Sequence, residues 1–265
     1  MNNKVLWEKA VVFRRHECGG LTNGADPAEK GNGPDTSRFG SMAKNTVDSR
    51  GQLGKNPDVR FDTYDGKGPR VMFLGNSITL HGVRPEVGWF HEWGMAASRA
   101  ENDYVHLLEA EVRKLHPDAA FCICQAADWE SAYARGGEML DRYVEARDFG
   151  ADILVMRLIE NCPGKDFDRD VFKRELHRLL SFLDPTDRAQ VILTTGFWRH
   201  PGDDAIRSYG KERSLPVVEL GDLGDDDRMK ALGLFEHAGV ANHPGDLGMK
   251  KIAERIFGAM KPCLE

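Results

Sequence analysis

The apolar positions of this chain fall into short unbroken runs, separated by stretches in which apolar residues recur every three or four places. The runs are "VMFL" (71–74), "AAFCIC" (119–124), "DILVMRL" (152–158), "QVILTT" (190–195) and "PVVEL" (216–220). Runs of this length without polar alternation predict strands covered on both faces. Between them lie "DYVHLLEAEVRKL" (103–115), "ESAYARGGEMLDRYVEA" (130–146), "DRDVFKRELHRLLSFL" (168–183), a weaker segment at 203–213, and "GDLGMKKIAERIFGAM" (245–260). These predict helices; in the first, Val105, Leu108, Val112 and Leu115 share one face. Five alternations of strand and helix predict an α/β fold with a mainly parallel five-stranded sheet and helices on both sides. No internal repeat is present.

Residues 1–69 have another texture. They are rich in Gly, Asn, Asp and Lys, with one apolar segment, "VLWEKAVVF". Without a core of their own they predict an irregular N-terminal arm that drapes over the main domain, residues 70–265, or stays apart from it.

Composition narrows the partners. A net charge of −6 spread along 265 residues argues against nucleic acid or an anionic membrane surface, both of which call for a basic patch. No apolar run approaches the roughly 18 residues of a membrane span, and the polar start lacks a signal-peptide core, so a cytoplasmic protein is the default expectation. Five scattered cysteines suit reduced thiols. Cys122 and Cys124 alternate inside an apolar run and read as strand residues. The histidines show no repeated ligand spacing, so no metal is expected.

The chemistry is expected at the ends of the strands, because ligands of open α/β sheets bind outside the carboxyl edge. "VMFLGNSITLHG" places Ser77 there, after a turn at Gly75 and Asn76 that tolerates a tight or left-handed backbone. The other ends supply "QAADWES" with Ala127, "IENCPG" with Asn161, and "GVANHPGDLGM" with His243. A serine needs a base to act as a nucleophile, and the resulting oxyanion needs fixed donors. This set can supply both.

In order and context these blocks resemble the SGNH, or GDSL-type, hydrolase superfamily over residues 70–262. The resemblance implies a flavodoxin-like three-layer α/β/α sandwich and a serine esterase without a cofactor. Ser77 would be the nucleophile, preceded by Asn76 where many members have Asp. His243 would be the general base, and the Ser77 and Ala127 backbone N–H groups with the Asn161 side chain would form the oxyanion hole. Three positions depart from the pattern. Ala127 replaces a glycine but keeps its N–H, and Ile159 also replaces a glycine. Val240 stands where an Asp normally orients the base. Either a backbone carbonyl takes that task, giving a Ser-His dyad, which is favoured here, or Glu236 or Glu160 does. Asp246 reads as part of a helix start, and Asn102-Asp103 as a helix cap. Trp89 and Trp93 in the loop after the serine, with Trp198 after the fourth strand, are candidates for a stacking platform or acyl pocket, or for packing the arm. The implied substrate is a small-molecule ester, with an acylated sugar as the suggested class. The alternative is a catalytically impaired domain of the same fold that binds sugars or regulates.

Overall fold

A computed structural model of the chain describes residues 56–63 and 66–265. Most of the expected arm, including "VLWEKAVVF" and Cys18, lies outside the described residues. The part that is described departs from the expectation, because Val59–Thr63 forms strand β1 rather than irregular chain. The elements that follow are β2 (Arg70–Gly75), α1 (Tyr104–Leu115), β3 (Ala120–Gln125), α2 (Ala127–Ser131), α3 (Val144–Phe149) and β4 (Ile153–Arg157). After them come α4 (Arg169–Leu183), β5 (Gln190–Thr194), α5 (Asp203–Arg213), β6 (Val217–Val218), α6 (Gly221–Gly224), α7 (Ala238–Ala241) and α8 (Asp246–Met260).

The sheet therefore has six strands rather than five, in the order β1-β3-β2-β4-β5-β6. The five expected strands are all parallel, and β1 joins antiparallel to β3 as an edge, with Val59 opposite Cys124 and Phe61 opposite Cys122. Two apolar residues in "VRFDT" were too weak a periodic signal for a strand whose outer edge needs no apolar cover. Leaving β1 aside, the order is that of flavodoxin-like sheets, which reverse direction between β2 and β4.

The unbroken apolar runs have the expected cause. Along β2, Met72 and Leu74 enter a core shared with α4, while Val71 and Phe73 enter a second core under α1 and α8. All four side chains are fully buried, each contributing about 1.5–3 kcal/mol. Of the predicted face on α1, Val105, Leu108 and Val112 are buried, whereas Leu115 at the last turn is 46% exposed. Asp103 caps α1 by accepting from His106 N–H (2.9 Å).

The helix expected over 130–146 is broken. A 3₁₀ stretch at Tyr133–Tyr143 separates α2 from α3, with Arg135 outside helical geometry. The reason is the Gly136-Gly137 pair, which weakens a continuous helix. Gly136 also lets the Trp129 indole lie against the backbone, where a Cβ would collide with the ring nitrogen Nε1 and lie 2.8 Å from Cδ1.

The turn after β2 is built by space rather than by a left-handed backbone. Gly75 is not among the glycines with positive φ, but a Cβ there would collide with Thr79 Oγ1 and lie 2.7 Å from Thr79 Cβ. Thr79 is fixed in turn by a 2.7 Å hydrogen bond between its hydroxyl and Tyr104. Thr79 and Leu80 N–H donate to Asn76 O at 2.9 and 3.0 Å, which folds residues 76–80 into one tight turn. Gly75→Ala is expected to destabilise the protein by about 1–3 kcal/mol through overpacking, read as a lower urea midpoint at unchanged slope; an unchanged midpoint would show that the turn can yield.

Candidate active site

Four loops at the carboxyl edge of the sheet carry the expected residues, and the structure brings the central pair together. Ser77 lies in the turn after β2, is partly exposed, and its Oγ is 2.8 Å from His243 Nε2. His243 follows α7 and is 1% exposed. It is held by its own N–H donating to Val240 O (2.9 Å) and its carbonyl accepting from Ala231 N–H (2.9 Å).

The orienter is a backbone carbonyl. His243 Nδ1 is 2.7 Å from Gly239 O. A carbonyl can only accept, so Nδ1 carries the proton and Nε2 presents its lone pair to the Ser77 hydroxyl. Val240 packs with Trp89, Met95 and Ala231. Glu236 is exposed and does not reach the imidazole. Asp246 is the first residue of α8 and accepts from Ser98 N–H, Ser98 Oγ and Asn102 Nδ2, so it anchors the neighbouring turn. Because no anion meets Nδ1 to favour the imidazolium, burial pushes the His243 pKa down to about 4, with Gly239 O opposing and His81 and Arg157 assisting.

Beneath the serine lies a buried polar network. Arg157, at the end of β4, is fully buried and donates to Glu160 Oε1 (2.5 Å) and to Asn76 Oδ1. Asn76 Nδ2 donates to Glu160 Oε2 (2.7 Å) and Glu130 Oε1 (3.1 Å). Glu160 also accepts from Phe197 N–H (2.9 Å), which ties in the loop after β5. Glu160 therefore supports Asn76 rather than His243. Burial opposes its charge, but Arg157 and these donors hold its carboxyl below the usual range. Burial pushes Glu130 above that range, the negative charge of Glu160 adding to the effect.

Asn161 and Ala127, the expected oxyanion donors, both have partners. Asn161 Nδ2 donates one hydrogen to Glu130 Oε2 (2.6 Å), leaving its second free. Ala127 N–H donates to Gln125 Oε1 (2.9 Å), which must move for that donor to serve an oxyanion. Gln125 also lines a depression with Pro57, Asp58, Leu80, His81, Gly82, Val83 and Asp128.

The aromatic residues divide. Trp198 is partly exposed and meets His243 edge to face at 5.2 Å. Trp89 is fully buried and cannot be a platform; it packs the loop, with Phe235 6.1 Å away. Trp93 is half-buried, donates to Ala97 O (3.0 Å) and stacks on His91 at 4.1 Å. Sequence reasoning missed Glu130, Arg157 and Gln125. An Arg within the run "DILVMRL" was a usable signal, since a charge in a buried strand demands partners; Glu130 looked like any polar residue of a helix.

No cluster of His, Cys, Asp and Glu suited to a metal occurs among the described residues. No described helix is long and apolar enough to cross a membrane. No protein-family model and no curated protein matches the chain. Solved structures do. A putative GDSL-like lipase from Parabacteroides merdae has a TM-score of 0.50 at 15% identity, covering 76% of this chain and 98% of the other. A two-domain esterase active on acetylated mannans also gives 0.50 at 15%, over 76% of this chain and 50% of the other, so the chain spans about half the length of that protein. An acetyl xylan esterase gives 0.46 at 16%, over 72% and 98%. The fold is that of the SGNH hydrolases.

Two outcomes follow. Asn76→Asp removes two donors from buried glutamates and adds a third carboxyl beside one arginine, so it is expected to cost about 3 kcal/mol or more in urea unfolding; full stability would refute the network. A neutral His243 with a pKa near 4 keeps its basicity as pH falls from 8 to about 5. The acidic limb of kcat/KM is thus expected between about pH 4 and 5, and a limb at pH 6–7 would mean that an anion faces the imidazole during turnover.

Proposed function

We propose that this protein is a serine carboxylic-ester hydrolase acting through a Ser77–His243 dyad, on small acyl groups carried by a carbohydrate or another small alcohol. The observation that carries the reading is the 2.8 Å contact from Ser77 Oγ to a His243 Nε2 whose tautomer is set by Gly239 O. In this mechanism Ser77 Oγ attacks the ester carbonyl while Nε2 takes its proton. The tetrahedral oxyanion is held by Ser77 N–H, Ala127 N–H and the free Nδ2 hydrogen of Asn161. As the carbon–oxygen bond to the alcohol breaks, Nε2 returns the proton to the leaving oxygen. Nε2 then takes a proton from water, which attacks the acyl-Ser77, and the carboxylic acid departs as Ser77 regains its hydrogen. Nothing in this cycle requires a cofactor.

A carbonyl in place of aspartate fixes the imidazole but stabilises its charge less than a full anion would. The price is a weaker base, and the Arg157 positive charge beneath the turn adds to that cost while favouring developing negative charge on Ser77. Support for the carbohydrate class is the fold shared with an esterase active on acetylated mannans, together with the partly exposed Trp198 beside His243, an aromatic face of the kind on which sugar rings stack. The rival reading, an impaired binding domain, rested on Val240; the bond from Nδ1 to Gly239 O weighs against it.

A fluorophosphonate probe is expected to label the wild type, with a Ser77 oxygen–phosphorus bond replacing fluoride, and to leave Ser77→Ala unlabelled. Aryl esters from acetyl to octanoyl, run beside acetylated oligosaccharides, are expected to turn over fastest at the acetyl end, with at least a 10³-fold loss in Ser77→Ala. An unlabelled wild type defeats the assignment.

A further inference from the structure

We infer that Glu130 is a positioning residue that sets the orientation of the Asn161 carboxamide and thereby aims its free N–H at the oxyanion, an inference that rests on the reading of Ser77 and Asn161 just given. The grounds are geometric. Glu130 is fully buried on α2, the same short helix that begins with Ala127. Its Oε1 accepts from Ile159 N–H and from Asn76 Nδ2 (3.1 Å), and its Oε2 accepts from Asn161 Nδ2 (2.6 Å). One side chain thus joins the turn after β2, the helix after β3 and the loop after β4, from which the nucleophile and all three oxyanion donors come.

Both oxygens of Glu130 face N–H groups only, and this decides which way round the Asn161 amide sits. An amide can present either its oxygen or its nitrogen at nearly the same shape. With an acceptor beneath it, Nδ2 turns toward Glu130 and keeps its second hydrogen for the site. Changing Glu130 to Gln alters one atom. The backbone N–H of Ile159 cannot reverse, so the remaining oxygen of Gln stays on that side and its NH₂ faces Asn161. The Asn161 amide must then turn over to offer Oδ1, and the donor moves away from the oxyanion.

The experiment is a kinetic cycle of wild type, Glu130→Gln, Asn161→Ala and the double variant on an aryl acetate, with Ser77→Ala as the control. Expected are a loss in kcat of about 100-fold for Glu130→Gln at KM within about threefold, and no further loss on adding Asn161→Ala, because both changes remove the same donor. The Asn161 side-chain amide signals in ¹H–¹⁵N spectra are expected to shift in Glu130→Gln. Near-wild-type kcat, or losses that multiply in the double variant, would overturn the inference and leave the dyad standing; absence of Ser77-dependent hydrolysis in the wild type would overturn both. Should Glu130→Gln fail to fold, Glu130→Asp, which keeps the carboxyl and withdraws the acceptor by one methylene, takes its place in the same cycle.

Discussion

A guanidinium buried at the end of a central strand demands compensation, and the loops around it are arranged to provide it. Arg157 is fully buried, with Glu160 at 2.5 Å and the Asn76 side chain as partners. A buried pair of this kind adds little to stability over an apolar replacement, yet removing one partner is costly because the other is left uncompensated. The consequence here is positional. Asn76 must stay beneath the turn to satisfy Arg157, Glu130 and Glu160 together, and with it stays Ser77, its neighbour in the chain.

This accounts for the asparagine at position 76. The site already holds two buried carboxyls against one guanidinium, and only an amide can accept from the arginine while donating to both glutamates. The loop after β4 contributes Glu160 and Asn161 in sequence, the first tied to Arg157 and Asn76 and the second to Glu130, and the loop after β5 is drawn in through Phe197 N–H. Three strand ends are thus held together by polar contacts in a place where apolar packing could not fix the direction of a hydrogen bond.

His243, the proposed base, is held differently. Its carboxylate position is filled by Val240 in an apolar cluster with Trp89, so Nδ1 meets the carbonyl of Gly239 within its own turn. A local carbonyl orients the ring, but burial without an anion leaves the imidazole hard to protonate.

The five parallel strands, the helices at 103–115, 168–183, 203–213 and 245–260, and the placing of Ser77, Ala127, Asn161 and His243 at one edge of the sheet were all legible in the chain. Unbroken apolar runs have one explanation, cover on both faces, and a parallel sheet puts every strand end of one kind on one side. The short β1 edge, the break at Gly136-Gly137 and the burial of Trp89 were not legible, since each depends on which residues from distant segments come to lie alongside. The same is true of the tie between Glu130, Asn76 and Asn161, which are 54 and 31 residues away from it in the chain, whereas the backbone carbonyl favoured for His243 is that of Gly239, four residues before it. By itself the sequence determined the layers and the edge where the chemistry stands, because periodicity is a local property. Only the tertiary structure decided which donors face which acceptors, because a hydrogen bond is directional and its two ends need share nothing along the chain.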